Sequence, residues 1–135
     1  MAEPSLALQK AVRDRLVTDP AVAALVAGRV YDTVPAAPTF PYVTIGEDQV
    51  LDDGNSCGDA WQATVTVHVW TREPPGFPPA KTIAGAVRDA LTAPLTVAGF
   101  FVISGLHRDT LSLRDSDGLT SHMVQTFEYL IDPAE

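Results

Sequence analysis

The chain predicts an α+β fold, a mainly antiparallel four-stranded sheet with helices packed on one face. Three observations carry this prediction. Ala60 to Thr71, "AWQATVTVHVWT", alternates strictly and is dense in β-branched residues, the pattern of a strand with two unlike faces. Ile83, Ala86, Val87, Ala90 and Leu91 recur at helical spacing, the stripe of a helix lying on a core. The order of elements reads helix, helix, strand, strand, helix, strand, strand, which suits an α+β layer. The 135 residues fit one domain spanning 1–135. Their 46% hydrophobic content is enough for a core of that size.

The elements follow in order. Ser5 is the expected cap of a first helix reaching about Val17, with Leu8, Ala11, Val12 and Leu16 on one stripe. Asp19 is a good N-cap and Pro20 suits the first helical position of a short second helix, which Gly28 would end. "RVYDTV" reads as a short extended segment, and "PAAPTFP", with three prolines in seven residues, as a loop. Pro41 is tolerated at the start of a strand, where no ladder donor is needed. That strand turns Val43 and Ile45 one way and Tyr42 and Thr44 the other, and fades near Val50. "LDDGNSCGD" is a turn-rich loop. In the Ala60–Thr71 strand, Trp61, Ala63, Val65, Val67 and Val69 form the core face, and Gln62, Thr64, Thr66, His68 and Trp70 the other.

"REPPGFPP" leads into a helix from about Pro78 to Thr92, which Pro94 ends. "GFFVISGLHRDTLSLRD" is a strand bent or bulged near Gly105, and "DSDG" a hairpin turn into the last strand, "LTSHMVQTFEYLI". That strand is apolar on both faces, with Met123, Phe127, Tyr129 and Ile131 on one and Val124 and Leu130 on the other. Helices cover one face of the sheet only. An outer face bearing threonines, His68 and Trp70 in place of charges therefore points to a covering partner.

Composition excludes several classes of function. No basic region is followed by an apolar run, so no signal peptide is expected, and no apolar segment approaches membrane-spanning length. The single Cys57 has no partner for an intramolecular disulfide. A net charge of −8 with scattered Lys and Arg argues against a phosphate-backbone binder. Asp52, Asp53, Asn55 and Asp59 are hard oxygen donors, but their spacing is not that of a calcium loop, and Asp and Asn beside Gly are ordinary turn residues. Ser104, His107 and Asp109 lie on one strand and do not converge as a triad. His68 and His122, paired across strands, lack a third metal ligand. No enzyme, cofactor or metal is expected.

Taken together, "VAALVAGRVYDTVP", "FPYVTIGED", "VTVHVWTREPPG" with "IAGAVRDAL", and "SDGLTSHMVQTFEYLI" form an ordered series from about Leu6 to Ile131. The series resembles the tail-completion (tail terminator) family of long-tailed phages and gene transfer agents. The resemblance implies a structural virion protein without catalytic residues. It would form a hexameric ring on the finished tail tube, stop tube growth and offer a joining surface to the head connector. Its expected partners are further copies of itself, the tail tube protein and the connector or stopper protein. DNA would pass through the ring unbound, and no membrane is involved. Assembly would take place in the bacterial cytoplasm, and the final position would be the head-proximal end of the tail.

On this reading the candidate subunit or ring-face contacts are Trp70, His68 and Tyr129, together with the acidic Glu47, Asp48, Asp52 and Asp53. Two other readings compete: a head–tail connector or neck protein of the same particle, and a small oligomeric binding module. The basic DNA-reading segment that a regulatory module would carry is missing.

Overall fold

The computed structural model describes residues 3–134. Three helices, α1 (Ser5–Thr18), α2 (Pro20–Val26) and α3 (Phe77–Thr92), lie on one face of a sheet. Its strands are β1 (Val30–Tyr31), β2 (Tyr42–Asp52), β3 (Trp61–Thr71), β4 (Phe100–Arg114) and β5 (Ser121–Pro133), in spatial order β1-β2-β3-β5-β4. The α+β class is as expected. The sheet, however, has five strands and is mixed, because Val30 and Tyr31 pair in parallel with Val43 and Thr44. All other pairings are antiparallel.

Alternation places the core. Ala63, Val65, Val67 and Val69 of β3 are buried, as are Met123, Phe127, Tyr129 and Ile131 of β5. Their register aligns these sets, with Ala63 opposite Tyr129, Val65 opposite Phe127 and Val69 opposite Met123. The stripe Ile83, Val87 and Leu91 of α3 closes over them, joined by Leu8, Val12 and Leu16 of α1. Two polar bonds tie α3 to β5 within this apolar layer. Gln125 Nε2 donates to the Ala84 carbonyl at 2.9 Å, and Tyr129 Oη to the Leu91 carbonyl at 2.8 Å. Each satisfies a buried donor that would otherwise be costly.

Several local expectations need correction. Pro4 occupies the N-cap of α1, and Ser5 is already helical. Asp19 does cap α2, accepting from the Val22 amide at 3.1 Å. The left-handed residue that ends α2 is Ala27, at φ 52°, followed by Gly28 at φ 77°. β2 continues to Asp52 through a bulge between Ile45 and Asp48, so most of the acidic stretch is strand. β4 is bulged twice, between Val102 and Ser104 and between His107 and Asp109, on either side of Gly105. Gly105 is needed there, since a Cβ would meet the Tyr129 ring at 2.7 Å.

Candidate functional site

The outer face of the sheet is built by the residues that alternate with the core. Tyr42, Trp70, His122 and Leu113 form one row across four strands, and Thr44, His68, Val124 and Leu111 the next. β-branched and aromatic residues hold β3 and β5 extended here while offering few charges to water.

At its centre lies a chain of three polar side chains. Glu47 Oε1 meets His68 Nε2 at 2.8 Å, and His68 Nδ1 meets His122 Nε2 at 2.6 Å. An ionised carboxylate only accepts, so His68 donates from Nε2. When His68 is uncharged it accepts at Nδ1, and His122 donates from Nε2. The His122 ring stacks on Trp70 with centroids 3.7 Å apart, and Trp70 Nε1 donates to Thr44 Oγ1 at 3.1 Å. The bulge in β2 turns Glu47 toward His68, and Gly46 makes the approach possible. A Cβ on Gly46 would lie 2.5 Å from His68 Nε2.

Electrostatics follow from these contacts. The hydrogen bond from His68 lowers the proton affinity of Glu47. That of His122 is lowered by burial first and by the charge of His68 second. With their nitrogens engaged as described, the two imidazoles are bonded to each other, not arranged around an ion. Among the described residues, no group of three or more His, Cys, Asp and Glu is placed to hold a metal.

The Pro-rich loop folds over one corner of this face. Phe40 and Tyr42 have ring centroids 5.0 Å apart, and the Arg72 guanidinium lies 4.2 Å from the Phe40 ring centroid. Arg72 also reaches the turn after β4, where its Nε donates to Thr120 Oγ1 at 3.2 Å. Asp117 orders that turn by accepting from the amides of Leu119 and Thr120, both at 2.8 Å.

The predicted contact residues therefore separate. His68, Trp70 and Glu47 form one cluster on the outer face. Asp48 is exposed on β2, Asp52 accepts from the Gly54 amide at 3.1 Å, and Asp53 begins the following loop. Tyr129 is a correction. It is 1% exposed, lies opposite Ala63 on the helix side and bonds to Leu91, so it is a core residue and not a contact anchor. Burial and loss of water drive the pKa of its hydroxyl upward.

Sequence reasoning missed the apolar surface of β4. Phe101, Ile103, Leu106, Leu111 and Leu113 are 56%, 60%, 49%, 55% and 40% exposed. The alternation of β4 is broken by its bulges, which hid the pattern. Ser104, His107 and Asp109 do not assemble as a triad; His107 Nε2 instead pairs with Thr110 Oγ1 at 2.6 Å.

No curated protein matches the chain. Among solved structures, a chain described as "Virion of native gene transfer agent (GTA) particle" superposes with a TM-score of 0.88 at 29% identity, covering 98% of this chain and 99% of that one. The family model described as tail completion protein gp17 matches residues 10–132. With that match spanning nearly the whole fold, the chain belongs to the tail completion protein gp17 family, whose members are structural virion components and not enzymes.

Proposed function

We propose that this protein ends the tail. It assembles as a ring, six subunits in its simplest form, on the finished tail tube. It stops further addition of tube subunits and presents a joining surface to the head connector. The observation that carries the reading is the family match over residues 10–132. The exposed apolar side chains of β4 support it, because several large apolar residues left exposed along one edge strand of a small domain point to a contact.

The physical logic is one of unlike faces. A tube subunit offers the same surface at every layer, so growth continues until something binds that surface without re-creating it. A ring with two different faces does this. The net charge of −8 suits a ring through which DNA passes without sticking, since like charge repels the phosphates. Assembly in the bacterial cytoplasm and a final position at the head-proximal end of the tail follow from this role.

Deleting the gene tests it. The expected particles are DNA-filled heads unjoined to tails, with tails absent or overlong. Tails of normal length that fail to join would favour a connector of the same particle. Joined tails of normal length would overturn both readings.

A further inference from the structure

The two margins of the sheet are unlike, and they complement each other. β4 is the last strand at one margin, and among the described residues nothing pairs with its outer side. At the other margin, β1 pairs only with Val43 and Thr44, which leaves β2 open from Gly46 to Asp52. Open strand edges carry unpaired N–H and C=O groups and are templates for another strand.

Charge divides the same way. Four of the nine Lys and Arg, namely Lys81, Arg88, Arg108 and Arg114, lie on β4 or on α3 beside it, against two acids there, Asp89 and Asp109, a net of +2 (4 − 2). Lys81 Nζ and the Arg114 guanidinium both approach the Phe77 ring, at 5.8 and 4.7 Å from its centroid, so helix and strand present their cations together. The β2 margin carries Glu47, Asp48 and Asp52, with Asp53 next in the chain.

Polarity agrees as well. β2 is antiparallel to β3, β3 to β5 and β5 to β4, so β4 runs antiparallel to β2. A second copy placed alongside by extending the sheet would set its β2 antiparallel against the first copy's β4. Exposed Leu51 of β2 would then join the outer face that already carries Leu106 and Leu111. The bulges of β4 blunt part of its edge, but its register is regular from Asp109 to Arg114.

We propose that the basic outer edge of β4, flanked by α3, receives the acidic Gly46–Asp52 edge of β2 from a second copy of this chain. The contact is heterologous, head to tail, and such contacts build rings when the rotation closes. It rests on the ring reading and specifies the surfaces through which the ring forms.

Two charge-reversed variants test it: Asp48→Lys with Asp53→Lys, and Arg108→Glu with Arg114→Glu. The two acidic positions leave the Glu47–His68 bond and the Asp52 turn intact. Native mass is measured for each variant alone and for the mixture, with melting curves confirming that each folds. Each variant alone is expected to assemble less than the native chain, because its reversed side chains meet like charges on the opposite edge, at Arg108 and Arg114 or at Asp48 and Asp53. Mixed, they are expected to assemble with alternating subunits, since at every junction the positions changed in one variant again face opposite charges in the other. A variant that fails to melt cooperatively is replaced by its neutral form, Asp48→Asn with Asp53→Asn or Arg108→Gln with Arg114→Gln. A neutral form is expected to assemble more weakly than the native chain. Variants that form the native assembly unchanged, or a mixture that restores nothing, would overturn the edge pairing and leave the ring standing. A native protein that never assembles would overturn the ring and the edge pairing with it.

Discussion

The Glu47–His68–His122 chain sets how single residues on the outer face respond to change. Gly46 is the tightest point, with its missing Cβ only 2.5 Å from His68 Nε2. Gly46→Ala should push the imidazole off Glu47 and cost about 1 kcal/mol, at the low end for overpacking because a side chain yields more easily than backbone. In a His68→Ala background the same change should cost little, and a double-mutant cycle measures the difference. Equal costs in the two backgrounds would mean that His68 is not what Gly46 accommodates.

Acid should act on the same residues in two windows. Burial, with a smaller contribution from the charge of His68, holds His122 below its ordinary 6.5, while Asp115 and Glu47 pull the other way. Below 6.5 the unfolded chain takes up a proton that folded His122 resists, so stability falls as pH drops from 6.5 toward the folded value. The carboxylates act lower. Glu47 is held below 4.5 by His68, and Asp117 is held at about 2 by the amides and hydroxyl it accepts from. A lowered carboxylate stabilises the fold above its unfolded value, and that stability is lost as pH falls through the folded one. His122→Gln should therefore remove the upper window and leave the lower. Denaturant midpoints measured across the range check this, and a native profile flat from 6.5 to 4.5 would refute the upper window.

At the scale of elements, what was legible depended on periodicity. β3 and α3 were readable because an uninterrupted alternation and an uninterrupted stripe each name a face. β1 was readable only as a short extended segment, since a two-residue strand has no period and its place in the sheet comes from its pairing with β2. The end of β2 beyond Val50 looked like a loop because Asp beside Gly reads as a turn, yet its pairing with β3 continues to Asp52. Tyr129 was misplaced for a related reason. In a strand apolar on both faces, alternation separates two sets without saying which is inside; the register with Ala63 and the bond to Leu91 decide it. The candidate site was legible in part: His68 and Trp70 were read correctly as outer-face residues, whereas the link from Glu47 needed the bulge. The assignment of the β3 faces yields a direct test. Val67 is 0% exposed, and Val67→Asp would bury an unpaired charge at a cost of roughly 3–5 kcal/mol. Against a typical stability of about 5–15 kcal/mol, the variant should fail to fold or should melt far below the native protein. Soluble Val67→Asp protein with a native melting curve would reverse the faces.

At the scale of the whole molecule, the outer face has two parts with different duties. Trp70 is half-buried, stacked on His122, bonded to Thr44 and adjacent to Tyr42, so the monomer itself uses it. Leu111 and Leu113 on β4 are 55% and 40% exposed and lie at the open margin of the sheet. A charge at Trp70 should therefore lower the melting temperature of the isolated chain. The stacked aromatic contact alone is worth about 0.5–1.5 kcal/mol beyond area burial. A charge at Leu111 should leave the monomer nearly unchanged, within about 0.5 kcal/mol, as surface substitutions usually do. If the ring forms through the β4 margin, Leu111→Asp should nevertheless lose assembly, because association places that side chain beside a second copy and strands its charge there. Melting curves of the monomer and native masses of the assembly, measured on both variants, separate the two duties. The β4 margin would be excluded as the contact if Leu111→Asp formed the native assembly. It would equally be excluded if Trp70→Glu abolished assembly while the monomer melted as the native chain does, for then the contact would lie on the aromatic cluster.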